Sequence, residues 1–115
     1  MKPASCKAKG RQLQNHVAEE IRTTFGLPPE DVRPAVMGET GCDIKLSHGA
    51  RQRVPFAIEC KKRETLNIWE ALKQAEANAK AEGLKPALVF SRNRSAIYAT
   101  VRFEDLLALI ARETP

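Results

Sequence analysis

The sequence predicts an α/β fold with a mixed central sheet of about five strands flanked by helices. Apolar residues at helical spacing alternate with short apolar runs typical of strands, in the order helix, three strands, helix, two strands, helix. Some neighbouring strands are joined by short polar connections and others by a helix, which predicts both antiparallel and parallel pairing. The chain of 115 residues is long enough for one hydrophobic core without disulfide or metal support.

The N-terminal part is predicted to be a flexible basic arm, residues 1–9, followed by a single domain over residues 10–115. Residues 1–9 contain lysines but show no apolar periodicity. Residues 11–25 are predicted to form an amphipathic helix, because apolar residues recur there every four positions. These residues are Leu13, Val17, Ile21 and Phe25. Gly26 suits a helix C-cap, and the two prolines that follow forbid continuation.

Three strand segments are predicted between the first and second helices. Residues 32–37 indicate an edge strand, because Pro34 cannot donate a hydrogen bond to a sheet. Two further apolar stretches, residues 43–46 and 54–60, flank the polar residues 48–53. We therefore expect these two stretches to form a hairpin with a polar tip.

The second half of the chain is predicted to contain a helix, a hairpin and a final helix. Residues 66–82 have apolar residues on one face and charged residues on the other, with Asn67 as a cap and Gly83 as the end. Residues 86–91 and 96–102 are apolar strands joined by a basic turn. Residues 103–111 again show helical spacing of apolar side chains.

Composition restricts the class of protein but does not identify a partner. A hydrophobic fraction of 43% and a charged fraction of 29% exclude a disordered or collagen-like chain. There is no apolar run of the ~18 residues that a membrane span requires, and no secretion signal, so we expect a cytoplasmic protein without a membrane partner. Three widely spaced cysteines favour reduced thiols. A net charge of +5 favours polyanionic partners.

The most informative segment is the predicted strand that contains Glu59 and Lys61. Side chains alternate along a strand, so Glu59 and Lys61 share one face while Ile58 and Cys60 point to the other. If residues 43–46 pair with this strand, the carboxylate of Asp43 lies beside that of Glu59. Two carboxylates and the main-chain carbonyl of Cys60 could then hold Mg²⁺, with Lys61 placed to stabilise a phosphate.

Two other interpretations of these residues are possible. The three side chains could form a surface salt bridge at a sheet edge, which contributes little to stability. The chain also contains a second acid-x-lysine triplet, Asp43-Ile44-Lys45, which could pair with Asp31. We favour Glu59, because Asp31 lies in a predicted loop whereas Glu59 lies at the end of the most apolar strand.

Taken together, these motifs resemble the PD-(D/E)XK nuclease superfamily, and in detail small phage endonucleases related to archaeal-type Holliday junction resolvases. The resemblance covers residues 9–102. The stretches that carry it are Lys9-Gly10, Gly41-Cys42-Asp43-Ile44, Ile58-Glu59-Cys60-Lys61, and residues 66–78. It implies a restriction-endonuclease-like core, with Asp43 and Glu59 as the motif acids and Lys61 as the motif lysine.

The resemblance also implies a function and partners. It implies a Mg²⁺-dependent DNA endonuclease, with Mn²⁺ able to substitute, that cleaves branched DNA as a homodimer in the host cytoplasm of a phage. Where such resolvases place a metal-assisting glutamate on the first helix, this chain has Gln14, which brings no charge, and Glu20 is the nearest acid. The alternatives are a nuclease for flaps, ends or single strands, and a DNA-binding module that has lost catalysis.

Further residues are candidates for catalysis or DNA binding. Gln74 and Asn78 share an amide-rich face of the second predicted helix; we assign Gln74 to catalysis and Asn78 to DNA. Basic side chains near the predicted turns could line a phosphate track. They are Arg51, Arg53, Lys62, Arg63, Arg92 and Arg94.

Overall fold

The structure, a computed structural model, describes residues 6–113 and confirms an α/β fold with a mixed sheet flanked by helices. The first half of this range contains α1 (Cys6–Phe25), β1 (Val32–Pro34), β2 (Ile44–Leu46) and α2 (His48–Arg53). The second half contains β3 (Phe56–Lys62), α3 (Ile68–Glu82), β4 (Lys85–Ser91), β5 (Tyr98–Val101) and α4 (Phe103–Glu113).

Five strands form within these residues, but they divide into two sheets rather than one. β3, β4 and β5 make a mixed sheet in that order, with β3 parallel to β4 and β4 antiparallel to β5. β1 and β2 form a separate antiparallel pair. α3 supplies the crossover that a parallel pair requires.

Helix α1 begins earlier than the sequence pattern predicts. Its buried stripe includes Leu13, Val17 and Ala18, as the periodicity indicates, and Gly26 follows its end with a φ of +64°. Residues 6–9 of the predicted flexible arm are helical, so that prediction is wrong for them. Lysine and alanine favour helix even without an apolar face, which explains the error. Residues 1–5 of the predicted arm lie outside the described residues.

The region between α1 and β3 differs most from the prediction. The first strand ends at Pro34 rather than at residue 37. The hairpin predicted for residues 43–46 and 54–60 is wrong, because residues 48–53 form α2 and β2 pairs with β1. The Ser47 side chain accepts a hydrogen bond from the Ala50 main chain, and this cap starts the helix that we expected to be a turn.

Asp43 explains why β2 and β3 do not form a continuous ladder. Its main-chain N–H donates to the Ile58 carbonyl at 3.1 Å. Its carboxylate oxygen Oδ2 accepts from the Cys60 N–H at 2.7 Å. A side chain therefore takes the main-chain donor of β3 that a partner strand would otherwise use.

The second half of the chain follows the prediction closely. Asn67 caps α3 by accepting a hydrogen bond from the Glu70 N–H, and Gly83 ends the helix in the left-handed region. β4 and β5 pair across the basic turn as expected, although β5 is shorter than residues 96–102. α4 extends two residues beyond the predicted end. None of the described helices has the length and apolar character needed to cross a bilayer.

Two apolar clusters pack on opposite faces of β3. Ile58 and Cys60 pack with the buried stripe of α1, whereas Ala57 packs with Ala79 of α3. The alternation predicted for this strand is therefore observed. It places Glu59 on the face of β3 that α3 covers.

Candidate active site

A cleft of about 500 Å³ lies between α1, residues 35–39 and the end of β3. The predicted motif residues Asp43 and Lys61 line it together with Cys60. Gln14 also lines it, so the structure brings this residue of α1 to the same cleft. Glu59 does not line the cleft, and only 1% of its surface is exposed.

The orientation of the Asp43 carboxylate is determined by β3. Oδ2 accepts the Cys60 N–H at 2.7 Å, while the Asp43 main chain is held by Ile58. These two hydrogen bonds fix both the backbone and the side chain against the strand that carries Glu59. The carboxyl groups of Asp43 and Glu59 come within hydrogen-bonding reach of each other.

Glu59 is a buried carboxyl group with one amide partner. The Asn78 side-chain amide donates to Glu59 Oε1 at 2.7 Å from helix α3. Burial is the main cause that raises the pKa of Glu59 to about 7, and the negative charge of Asp43 adds to it. The Asn78 hydrogen bond and the Lys61 ammonium both favour the charged form and oppose this rise.

The donor set fits a magnesium ion. Two nearby carboxylates repel each other, and a divalent cation between them would remove that repulsion. The described residues contain no cluster of three or more His, Cys, Asp or Glu side chains that could hold a metal. Asp43 and Glu59 supply two carboxylates, and Mg²⁺ is commonly bound through one or two carboxylates while it keeps several waters.

The cleft has a strongly cationic lining. Sequence reasoning predicted Lys62 and Arg63 for DNA binding, and both line the cleft. It missed Lys7 and Arg11, which α1 presents to the same cleft. Their spacing with Gln14, at i, i+4 and i+7, would have indicated one helical face if the helix had been extended to residue 6.

One acid of the cleft wall has a structural partner. The Glu39 carboxylate accepts two hydrogen bonds from Arg33, at 2.7 and 3.1 Å, and one from the Val36 N–H. The hydrogen bond from Arg33 is the main cause that lowers the pKa of Glu39 to about 2. This pairing stabilises the loop of residues 35–39 that forms one side of the cleft.

The amide-rich face of α3 contributes to the site through a different residue than expected. Asn78, assigned to DNA from the sequence, contacts Glu59 directly. Gln74, assigned to catalysis, lies one turn nearer the start of the helix and is exposed. Because α3 runs antiparallel to β3, Gln74 lies toward the end of β3 that carries Lys61.

The remaining basic candidates lie outside the main cleft. Arg51 is half-buried in α2 and pairs with Glu82 at 2.6 Å. The Arg53 guanidinium lies 5.4 Å from the centre of the Phe25 ring. Arg92 lines a second cleft, described below, and Arg94 is exposed in the β4–β5 turn with a φ of +61°.

Glu20 and Lys45, the alternative acid and lysine, do not line this cleft. Glu20 lies 3.4 Å from His16 on the exposed face of α1. The Lys45 ammonium donates to the Thr40 carbonyl at 2.6 Å. The triplet Asp43-Ile44-Lys45 therefore contributes its acid, but not its lysine, to the candidate site.

The two described cysteines near the site have reduced thiols, as predicted, and both are packing residues. Cys42 and Cys60 are free and buried. Burial raises the pKa of the Cys42 thiol to about 11 and that of Cys60 still further. Both therefore remain neutral near pH 7 and lack nucleophilic character.

Comparison with known families identifies the chain. Residues 5–114 match the family model described as phage putative PDDEXK endonuclease. The chain belongs to this family. The match confirms the superfamily resemblance. Searches of the curated proteins and of the solved structures returned no match.

Proposed function

We propose that this phage-family endonuclease is Mg²⁺-dependent and cleaves phosphodiester bonds in branched DNA. The observation that carries the proposal is that Asp43 and Lys61 line a cleft with further cations, while the charges of both side chains act on the buried carboxyl group of Glu59. Acidic ligands for a metal and basic groups for phosphate are the two requirements of metal-assisted DNA cleavage.

Each residue of the candidate site would have a separate role in cleavage. Asp43 and Glu59 would hold the ion, with the Cys60 carbonyl as a third ligand. A bound Mg²⁺ makes water a stronger nucleophile and neutralises charge on the phosphate oxygens. Lys61 would orient the attacking water or stabilise the charge that grows on the phosphate. Asn78 would hold the Glu59 carboxylate in place, and Gln14 could hydrogen-bond water in the cleft.

The proposed substrate and assembly rest on the cleft and on the resemblance. The lining cations Lys7, Arg11, Lys62 and Arg63 suit phosphates, whose contacts position DNA without reading its sequence. Such a lining favours recognition of DNA shape, as at a branch. The resemblance to junction resolvases supports a homodimer that makes paired cuts in the host cytoplasm, with Mn²⁺ able to replace Mg²⁺.

The test compares cleavage of a labelled four-way junction, a flap, a duplex and a single strand, with Mg²⁺ and with EDTA. Lys61→Ala and Asp43→Asn should each reduce the cleavage rate at least about 100-fold while leaving DNA binding largely intact. Lys80→Ala and Glu30→Gln, which alter exposed residues outside the cleft, are the matched controls. Wild-type cleavage rates in both active-site variants would refute the mechanism.

A second candidate function is a DNA-binding module without catalysis. Gln14 favours it, because this residue lines the cleft where related resolvases carry an acid. It predicts salt-sensitive DNA binding with no cleavage in Mg²⁺ or Mn²⁺. Metal-dependent nicking that is lost in Glu59→Gln would eliminate this candidate. Preferential cutting of flaps or single strands would instead retain the nuclease and change its substrate.

A further inference from the structure

A second cleft, of about 310 Å³, opens beside the candidate active site. It lies between the loop after β3 and the β4–β5 turn. Its walls include Arg63, Leu66, Phe90, Arg92 and Tyr98. The volume is at the lower end of the range of about 300–1,000 Å³ seen for small-molecule sites.

Arg63 connects the two clefts. Arg63 lines both clefts, and its main-chain N–H donates a hydrogen bond to the Ser91 carbonyl at 3.1 Å. This hydrogen bond holds the end of β3 against the end of β4. Because β3 and β4 are parallel, Lys61 and Ser91 reach the same edge of the sheet. The two clefts therefore meet at Arg63, at the end of β3.

The second cleft combines an aromatic surface with free positive charge. The rings of Phe90 and Tyr98 stack with centroids 6.0 Å apart, which braces Tyr98 while 59% of it stays exposed. Within residues 6–113, the guanidinium groups of Arg63 and Arg92 have no acidic partner, whereas Arg51 is ion-paired.

One acid lies in the same cleft, and it has a structural contact. Glu64 accepts a hydrogen bond from the Asn93 N–H at 3.0 Å, and so ties the β4–β5 turn to the loop after β3. The Arg92 N–H donates in turn to the Ser95 hydroxyl at 2.9 Å. These contacts fix the two loops that form the walls, so the cleft exists before any ligand binds.

We propose that the second cleft receives an unpaired nucleotide of the DNA strand that occupies the active-site cleft. Tyr98 would stack on the base, while Arg63 and Arg92 would contact the adjoining phosphates. Stacking on an aromatic ring is tolerant of sequence and requires a base that is free of its partner. The inference rests on the proposed function, and it narrows the substrate to branched DNA with an unpaired strand at the branch.

The experiment measures binding by fluorescence anisotropy in EDTA, so that no cleavage occurs. Two labelled DNAs are compared: a blunt duplex, and the same duplex with an unpaired tail. Tyr98→Ala and Tyr98→Leu should weaken binding to the tailed DNA at least about fivefold and leave binding to the blunt duplex unchanged. Tyr98→Phe should bind like the wild type, because its ring still stacks.

The control variant is Trp69→Ala, which removes an exposed ring from a different cleft. It should leave binding to both DNAs unchanged. Circular dichroism confirms that each variant is folded, and Tyr98→Leu keeps apolar bulk beside Phe90 where alanine does not. Agreement between the alanine and leucine variants therefore separates lost stacking on DNA from lost packing.

Several results would overturn the subsite. They are equal weakening of both DNAs by Tyr98→Ala, no weakening of either, the same loss in Trp69→Ala, and failure of the wild type to bind tailed DNA better than blunt DNA. The outcome is separable from the proposed function. Tyr98-dependent binding without cleavage in Mg²⁺ would refute the nuclease and retain the subsite. Cleavage in Mg²⁺ without any effect of the Tyr98 variants on binding would retain the nuclease and refute the subsite.

Discussion

Glu59 combines deep burial with a raised pKa. It lies in the middle of the buried strand β3, is 1% exposed, and has a charged neighbour in Asp43. A buried carboxyl group near another acid is costly to ionise, and its pKa of about 7 expresses that cost. Such a residue contributes nothing favourable to an apolar core, and buried groups with shifted pKa values cluster at functional sites.

The pKa of Glu59 predicts how stability depends on pH in the metal-free protein. The folded state holds the proton up to about pH 7, whereas the unfolded chain releases it near pH 4.5. The free energy of unfolding should therefore decrease as pH rises from about 4.5 to 7. The raised pKa of Glu59 should lower the free energy of unfolding by about 3 kcal/mol across this pH range. Glu59→Gln should remove this decrease, because a neutral amide does not titrate.

Urea denaturation in EDTA at pH 5 and pH 8 measures this effect. Glu59→Gln should be more stable than the wild type at pH 8 and similar to it at pH 5. Glu70→Gln, which alters an exposed acid of α3, is the control and should follow the wild-type profile. Equal pH dependence in the wild type and in Glu59→Gln would contradict the assignment.

At the scale of elements, the short helix α2 decides which basic residues can meet DNA. We expected residues 48–53 to form an exposed hairpin tip, with Arg51 and Arg53 on a phosphate track. The helix instead directs Arg51 to Glu82 at the end of α3 and Arg53 to the ring of Phe25. Both side chains thus connect α2 to other helices, while Arg63, in the loop after β3, lies at the cleft.

Arg51 and Arg63 should therefore respond in opposite ways to substitution. Arg51→Ala should reduce the free energy of unfolding by about 1 kcal/mol and leave DNA affinity unchanged, because its ion pair is structural and partly exposed. Arg63→Ala should leave stability unchanged and weaken DNA binding. The slope of log affinity against log salt should become shallower by about 1.

Anisotropy titrations over a range of salt concentrations, together with urea denaturation, measure both quantities. Each of the two variants is the control for the other, since both remove one guanidinium group. A shallower salt slope in Arg51→Ala would place that residue on DNA and contradict its structural role.

At the scale of the whole molecule, charge is arranged so that the acids and bases of the site have few other partners. Several surface arginines are neutralised by acids; the pairs are Arg33 with Glu39, Arg51 with Glu82, and Arg102 with Glu76. Within residues 6–113, the cleft cations Lys7, Arg11, Lys61, Lys62 and Arg63 form no such pair. The positive charge of these five side chains is thus available where a polyanion would bind.

Binding of Mg²⁺ should stabilise the whole protein, because a ligand that binds only the folded state shifts the unfolding equilibrium. At a concentration tenfold above the dissociation constant, the gain is about 1.4 kcal/mol. This corresponds to a rise of several degrees in Tm for a domain of this size. Asp43→Asn should show no rise. Thermal denaturation with Mg²⁺, and again after EDTA is added, measures the effect.

The control for this measurement is Glu30→Gln, whose Tm should rise with Mg²⁺ as in the wild type. Calcium, which binds carboxylates with more protein ligands, separates specific binding from a general effect of divalent charge. An equal rise in Asp43→Asn would show that the ion binds elsewhere on the protein.

Local pattern in the sequence was sufficient for most of the elements and for the motif. Apolar spacing predicted α3 and α4, the cap at Asn67 and the end at Gly83, because these features depend on neighbours within a few residues. Strand alternation predicted that Glu59 and Lys61 share a face. The basic arm was predicted too long, because lysine-rich residues 6–9 join α1 without an apolar stripe.

Contacts between distant residues could not be obtained from local pattern. The partner of β2, the hydrogen bond from the Cys60 N–H to Asp43, and the contact of Asn78 with Glu59 each join residues ten or more positions apart. Such contacts depend on how the helices pack on the sheet, and many sequences with the same periodicity could pack differently. Tertiary packing therefore selected Asn78 over Gln74 as the amide on Glu59, and brought Lys7 and Arg11 to the cleft while holding Arg51 away.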